Sequence, residues 1–152
     1  MPPDAQRQIT ASVKEVTFKL DGLPKPKERP RTVTRETTNA DGVTSRRTVT
    51  ITPADTKAFE AEVKLVSAQA RKKVSAELLP GLLRVEVWVF CSEDMARADM
   101  DNIHKAILDG MEGAVYANDN KVDSGEYIRD RFHTGRPYAM VRVTPFVPPS
   151  RR

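Results

Sequence analysis

The sequence predicts an α/β (α+β) fold, a single domain in which one mixed β-sheet is packed by two main helices. Three observations lead to this prediction. Short stretches of alternating apolar and polar residues are typical of half-buried strands. Two longer stretches repeat apolar residues every three to four positions, as amphipathic helices do. The strands and helices are interspersed along a chain of 152 residues, a length that suffices for one domain to bury a core unaided.

The chain begins with a polar stretch and a single strand. Residues 1–11 are polar, and we expect a loose tail there. From Ser12 to Leu20 the apolar residues Val13, Val16, Phe18 and Leu20 end in alternation, which indicates a half-buried strand that Asp21-Gly22 ends. The prolines of residues 24–30 then exclude a helix, because proline restricts its own backbone and that of the residue before it.

A basic loop or flap is expected over residues 24–50. Its later part, residues 32–38 and 43–51, flanks an Asn-Ala-Asp-Gly turn and is typical of a hairpin. Residues 24–47 hold seven basic and three acidic residues, so their net charge of +4 equals that of the whole chain. Concentrated positive charge favours contact with phosphates, although a basic loop is often only soluble surface. The residues assigned to phosphate contact are Lys25, Lys27, Arg29, Arg31, Arg46 and Arg47.

The first main helix is expected to begin at Thr52-Pro53, since threonine is a favourable cap and proline fits the first helical position. Its apolar residues recur at helical intervals as far as Val74, and we expect its end before Pro80-Gly81. A strand with alternating valines follows over residues 82–91. The single cysteine, Cys91, excludes an internal disulfide and a Cys-based zinc site, and we expect it to be a core thiol.

The second main helix is expected to start near Asp101 and to have an apolar and a charged face. His104 falls on the flank between them, where we expect a surface or interface position. Two further strands are expected over residues 121–132 and 138–147, and residues 148–152 form an exposed tail. The apolar face consists of Ile103, Ala106, Ile107, Gly110, Met111 and Ala114.

The candidate catalytic residues surround this second helix. Asp99 and Asp101 lie at its start, where carboxylates cap free N–H groups and the helix dipole keeps them ionised. Asp119 follows in a turn-like Asn-Asp-Asn stretch, so three carboxylates could converge on one divalent ion. Lys105 lies one turn from Asp101, whereas Asp109 is about 12 Å away along the axis and is treated as supporting or structural. An aspartate before a helix is more often only a cap, and that reading stays open.

The spacing of these residues resembles the central signature of the RusA family of Holliday junction resolvases, common in phages and prophages. The pattern is Asp-x-Asp-Asn-x-x-Lys-x-x-x-Asp-Gly followed by Val-Tyr-x-Asn-Asp-x-x-Val. An upstream Pro/Lys/Arg segment extends the similarity to residues 16–146. One position departs, because Asn118 stands where the family typically has an acid. The matching residues are Asp99, Asp101, Asn102, Lys105, Asp109, Gly110, Val115, Tyr116, Asp119 and Val122.

This resemblance implies a Mg²⁺-dependent endodeoxyribonuclease, with Mn²⁺ as an alternative ion, that hydrolyses phosphodiester bonds in four-way junctions and other branched DNA during recombination and repair. It implies Asp99, Asp101 and Asp119 as metal ligands. With Lys105, which can stabilise negative charge on the phosphate, they are the catalytic residues. The family resemblance also implies a homodimer that places one site at each of two opposed strands.

Two other functional classes stay open. The first is a protein that binds junction DNA without cutting it, and the reason to consider it is that Asn118 stands in place of an acid. A metal-binding domain that does not act on DNA is the other class, and the basic segment disfavours it. The apolar runs are too short to span a membrane, and the Met-Pro-Pro-Asp start has no apolar segment. We therefore expect no secretory signal and a cytoplasmic location.

Overall fold

The computed structural model describes residues 14–25, 31–51 and 54–151, and the fold is mixed α/β as the sequence predicts. The strands are β1 (Val16–Asp21), β2 (Arg31–Thr38), β3 (Thr44–Ile51), β4 (Leu83–Phe90), β5 (Val122–Asp130) and β6 (Tyr138–Pro145). The helices are α1 (Ala54–Lys72) and α2 (Met100–Met111). Short 3₁₀ turns cover Glu93–Met95, Asp119–Lys121 and Pro149–Arg151.

Four strands form one mixed sheet in the order β1-β6-β4-β5. Strand β6 is antiparallel to both of its neighbours, whereas β4 and β5 are parallel. A parallel pair cannot be joined by a tight turn, and α2 lies in the crossover that connects this one. The predicted hairpin is confirmed, because β2 and β3 pair antiparallel as a separate sheet of two strands.

The core lies between one face of the four-stranded sheet and the two helices. Alternate residues of β1, β4 and β6 are buried there, and α1 contacts both α2 and β1. The helices meet closely at Gly110, where an added Cβ would lie 2.6 Å from Cβ of Val63. Cys91 is buried in this core, which confirms the predicted core thiol.

Helix α1 is shorter than its apolar pattern suggests. It ends at Lys72, and the prediction that its apolar stripe continues to Val74 is wrong, because that side chain is 43% exposed. After Lys72 the N–H groups of Val74 and Ser75 both donate to the carbonyl of Arg71, at 3.0 and 2.8 Å. The predicted cap, Thr52-Pro53, lies outside the described residues.

Helix α2 confirms its predicted apolar face, since five of the six residues assigned to this face lie in the helix and are buried. The sixth, Ala114, is also buried but lies beyond the end of the helix at Met111. The prediction for His104 is wrong, because this side chain is only 5% exposed. Tyr127 of β5 covers it, with the two ring centroids 3.7 Å apart. The predicted N-terminal tail lies outside the described residues. In the part of the chain that is described, no helix combines the length and apolar character needed to cross a membrane.

Candidate active site

Two predicted carboxylates stand together at the start of α2. Asp99 is the N-cap residue, and its Oδ1 accepts the N–H of Asp101 at 2.8 Å. Asp101 is exposed in the first helical turn. The free N–H groups and the positive end of the helix dipole favour negative charge at this end. The capping role of Asp99 is therefore observed, and its carboxylate lies beside Asp101 at the protein surface.

The loop that leads to Asp99 is held by β5. The guanidinium group of Arg129 donates to the carbonyl of Ala96 at 3.3 Å and to the carbonyl of Ala98. These two bonds satisfy carbonyl groups that lie outside helices and strands. They also connect Ala98, the residue before Asp99, to the sheet. The position of the carboxylate pair therefore depends on a charged side chain that the sequence analysis did not single out.

Asp119 stands at the opposite end of α2. Its N–H donates to Oε1 of Glu112, the C-cap residue of the helix, at 3.0 Å. Oδ1 of Asn118 accepts the N–H of Asn120 at 3.0 Å and so caps the 3₁₀ turn that carries Asp119. An amide oxygen serves this purpose as well as a carboxylate does, so Asn118 maintains the turn without a charge.

The surroundings of Asp119 oppose its ionisation. Partial burial raises the pKa of the Asp119 carboxyl, and the negative charges of Glu112 and Asp109 raise it further. The positive charge of Lys105 acts in the opposite direction. Asp109 therefore belongs with Asp119 rather than with Asp101, in keeping with its predicted distance from Asp101. Glu112 is a site residue that sequence reasoning missed, although it lies on the predicted charged face.

The predicted carboxylates do not meet within one chain as described here. The backbone runs from Asp101 to Glu112 over eleven residues of helix and cap, about 16 Å at the usual rise. Among the described residues, no group of three His, Cys, Asp or Glu side chains is placed so that it could hold a metal ion. Lys105 lies between the two ends, exposed on the helix and close enough to influence Asp119.

The donor chemistry nevertheless fits Mg²⁺. Carboxylate oxygens are hard ligands, and Mg²⁺ in phosphate-processing sites is usually held by one or two carboxylates, several waters and substrate oxygens rather than by a closed protein cage. Asp99 and Asp101 supply such a pair at a surface that DNA can reach. A complete set of protein ligands is not needed before DNA binds, so the metal assignment stays a prediction with two candidate ligands already adjacent.

Tyr116 anchors the segment between α2 and Asp119. Its hydroxyl donates to the carbonyl of Leu108 at 2.7 Å, and the side chain is buried. Burial raises the pKa of Tyr116 above its usual range, and the charge of Asp119 adds to this effect. The tyrosine therefore stays a neutral hydrogen-bond donor, which fits a structural role for this signature residue.

A second group of rings lies near Asp101. Tyr127 is 44% exposed, and its pKa is raised by partial burial and by the charge of Asp101. Burial lowers the pKa of His104 to about 4, and its Nδ1 has no hydrogen-bond partner in the described structure. His104 is therefore a neutral, buried ring beneath this surface.

The residues predicted to contact phosphates are only partly described. Lys25 and Arg46 are exposed, and Arg46 pairs with Glu36 across the hairpin at 2.8 Å. Arg31 and Arg47 lie in β2 and β3, where the structure describes their backbone only. The remaining two, Lys27 and Arg29, lie outside the described residues. Their contact with DNA stays a prediction.

Comparison with known families adds a separate finding. A family model described as "Endodeoxyribonuclease RusA" matches residues 21–144. The matched region includes all of α2, β4 and β5 and all but the last residue of β6, and it leaves out most of β1. Comparison with curated proteins finds no match.

Proposed function

The chain belongs to the RusA family of endodeoxyribonucleases, and on this premise we propose that it is a Mg²⁺-dependent, structure-selective endodeoxyribonuclease that resolves Holliday junctions. The family is one of Holliday junction-resolving nucleases. The metal requirement, the cleavage of other branched DNA and a role in repair belong to the proposal. The observation that carries it is the adjacent pair Asp99 and Asp101 at an exposed helix N-terminus within the matched region.

The residues divide the work of phosphodiester hydrolysis as follows. Asp99, Asp101 and Asp119 would hold Mg²⁺, which supplies Lewis-acid activation of water and neutralisation of the phosphate. Lys105 lies one turn from Asp101 and would place its ammonium group against the negative charge that develops on the phosphate. The basic segment would bind the DNA backbone without reading sequence, because its cations can pair with phosphates of any nucleotide.

A homodimer is part of the proposal. Within one chain, Asp119 lies at the far end of α2 from Asp99 and Asp101. In a two-fold symmetric pair with the two helices side by side and antiparallel, the C-terminal end of one would lie beside the N-terminal end of the other. Each of two sites would then combine the first two aspartates of one copy with Asp119 of its partner. Such a dimer would also present two sites to two opposed strands of a junction.

A junction-binding protein that does not cut is the alternative. It is favoured by the absence of a group of three metal-ligating side chains among the described residues. Asn118 caps the turn at Asp119 in the way an aspartate would, but it does not supply the negative charge that an acid would add beside the site. Activity on DNA agrees with the cytoplasmic location expected from the sequence, which remains part of the proposal.

The deciding experiment uses a synthetic four-way junction and a duplex of the same sequence. The protein is expected to cut the junction with Mg²⁺, to leave the duplex intact, and to cut neither when Mg²⁺ is replaced by Ca²⁺. The Asp101→Asn variant should bind the junction in Ca²⁺ and fail to cut it in Mg²⁺. Binding without cutting by the wild-type protein, in Mg²⁺ and in Mn²⁺, would establish the alternative.

A further inference from the structure

A cleft outside the proposed catalytic residues lies where β1 ends and β6 begins. Its volume is about 600 Å³. The N–H of Gly22 donates to the carbonyl of Pro137 at 2.9 Å and ties the two walls together. The cleft combines two cations, one carboxylate and one aromatic ring, and the proposed mechanism uses none of them. Its lining residues are Lys19, Asp21, Gly22, Arg136, Pro137 and Tyr138.

The ring of Tyr138 is held in a fixed orientation within this cleft. Phe90 stacks on it with ring centroids 4.6 Å apart and an angle of 22° between the planes. His133 meets it edge-on at 5.4 Å. The ammonium group of Lys19 lies over the ring, 4.8 Å from its centroid. Because Phe90 occupies one face of the ring, Lys19 covers the other.

We infer that this cleft binds one unstacked nucleotide of the branched DNA, with the base stacked on Tyr138 and the phosphate between Lys19 and Arg136. The inference rests on the proposed function, because it assumes a DNA substrate. Stacking of a base on an aromatic side chain tolerates any base and exceeds an exposed cation–π contact in strength. A base would therefore displace Lys19 from the ring.

The displaced lysine is free to move to the phosphate. The Lys19 side chain is 55% exposed, and its partner Asp21, at 3.5 Å, is 90% exposed. An ion pair this open to solvent holds its members weakly, so little opposes the movement. Arg136 also lines the cleft, is exposed, and offers planar donors that suit a phosphate. The Asp21 carboxylate partly offsets the two cations, which limits how tightly an anion alone would bind.

An unpaired nucleotide fits this cleft better than a duplex does. Inside a duplex, neighbouring bases cover both faces of each base, whereas a branch point can free one face. The cleft is connected through β4 and β5 to the loop that precedes Asp99. Phe90 of β4 pairs with Tyr138 of β6 on one side and with Asp130 of β5 on the other. The backbones of Tyr138 and Asp130 are therefore two strand spacings apart, about 10 Å. Arg129, next to Asp130, holds the loop before Asp99. One junction could thus reach both sites.

The test uses junctions that carry the fluorescent base analogue 2-aminopurine at the branch point, with Ca²⁺ in place of Mg²⁺ so that no cutting occurs. Wild-type protein should quench the fluorescence as the base stacks on Tyr138. Tyr138→Leu keeps an apolar contact with Phe90 but has no ring face. It should lose the quench and bind the junction about tenfold more weakly. Tyr138→Phe, the matched control, should behave as the wild type.

A second variant guards against loss of structure at Tyr138. Arg136→Gln changes an exposed side chain and should also weaken junction binding, with less effect on a matched linear duplex. If wild-type protein binds the junction without quenching, or Tyr138→Leu quenches and binds normally, the cleft does not hold a nucleotide, and the proposed nuclease function is unaffected. If wild-type protein binds no branched DNA at all, the proposed function and this inference both fail.

Discussion

The backbone N–H of Asp119 donates to Oε1 of Glu112 at 3.0 Å, so the end of α2 directly positions a proposed catalytic carboxylate. The same glutamate contributes the negative charge that, after burial, most raises the pKa of Asp119. Glu112 therefore holds the turn through an acceptor oxygen and opposes the ionisation of Asp119 through its charge. These two effects can be separated by substitution.

Glu112→Gln keeps the acceptor oxygen and removes the charge. The pKa of Asp119 should fall, so that cleavage, which needs the ionised carboxylate, persists to lower pH than in the wild type. Lys105→Ala should move the acid side of the profile to higher pH, because Lys105 lowers the same pKa. Single-turnover rates between pH 5 and 8 measure both shifts. Glu126→Gln, which removes a charge on β5, is the control and should leave the profile in place.

Mixing two inactive variants tests whether the site spans two copies. Asp99→Asn, Asp101→Asn and Asp119→Asn should each abolish cleavage while junction binding in Ca²⁺ stays intact or tightens, since each removes a charge that repels phosphate. In a mixed dimer of Asp101→Asn and Asp119→Asn, one shared site would have both residues intact. Random mixing should restore roughly a quarter of the wild-type sites.

The mixing experiment distinguishes a site shared between two copies from a site within one chain. If each site lies within one chain, a mixture of the two variants has no intact site and stays inactive. Mixing Asp99→Asn with Asp101→Asn is the matched control, because those residues adjoin in the same chain and should never complement. A protein that sediments as a 17.0 kDa monomer, with and without DNA, would contradict the homodimer itself.

The basic segment should control the salt dependence of binding. Changing Lys25, Lys27, Arg29 and Arg31 together to Gln should reduce the log–log slope of junction affinity against salt by about one unit for each lost phosphate contact. Affinity for junction and duplex should fall alike, because phosphate contacts carry no sequence information. An unchanged slope and affinity would show that the positive charge of this segment is only soluble surface. Lys72→Gln combined with Lys73→Gln, at and just after the end of α1, is the control for loss of two positive charges outside this segment.

Stability should decrease in mild acid because of His104. Its folded-state pKa of about 4 lies below the ordinary value of 6.5, so the unfolded chain takes up a proton first as the pH falls. The resulting loss begins near pH 6.5 and should reach about 2 kcal/mol at pH 5. Urea unfolding at pH 8 and pH 5 measures it. His104→Gln should abolish this part of the pH dependence, whereas His133→Gln should retain it.

Gly110 should tolerate no side chain. A Cβ there would lie 2.6 Å from Cβ of Val63 and 3.0 Å from the carbonyl of Glu60. Gly110→Ala should therefore destabilise the protein by about 1–3 kcal/mol, despite the better helix propensity of alanine. Chemical denaturation measures the loss, and Gly110→Ala combined with Val63→Ala should be less unstable than the sum of the two changes. Additive effects would show that the two helices adjust without strain.

The sequence predicts the fold well where the periodicity of apolar residues alone determines which side chains are buried. The apolar face of α2 and the alternating residues of β4 are both buried as their periodicity requires. His104 could not be placed in this way, because it lies beside the apolar stripe and its burial depends on Tyr127 from a distant strand. Apolar periodicity also could not show that α1 ends at Lys72. The hydrogen bonds from the N–H groups of Val74 and Ser75 to the Arg71 carbonyl leave no apolar pattern in the sequence.

The candidate site was predictable in composition but not in arrangement. Motif spacing identified Asp99, Asp101 and Asp119, yet their separation depends on where the chain returns after α2. Only six residues lie between Glu112 and Asp119, and the hydrogen bond between these two residues places the backbone of Asp119 beside the C-cap residue of α2. Glu112 was missed because a glutamate near a helix end is an ordinary surface residue in any sequence.

Arg71 connects the two halves of the fold through its buried guanidinium group, which donates to the carbonyl of Ala114 at 2.7 Å and to those of Ser75 and Ala76 at 2.9 Å. Ala114 lies in the segment that leads from α2 to Asp119. Lysine cannot reproduce this set of planar donors. In a genetic screen for lost nuclease activity, substitutions of the buried Arg71 should therefore be recovered together with substitutions of the proposed catalytic residues, because they would release the end of α1 from the segment that leads to Asp119.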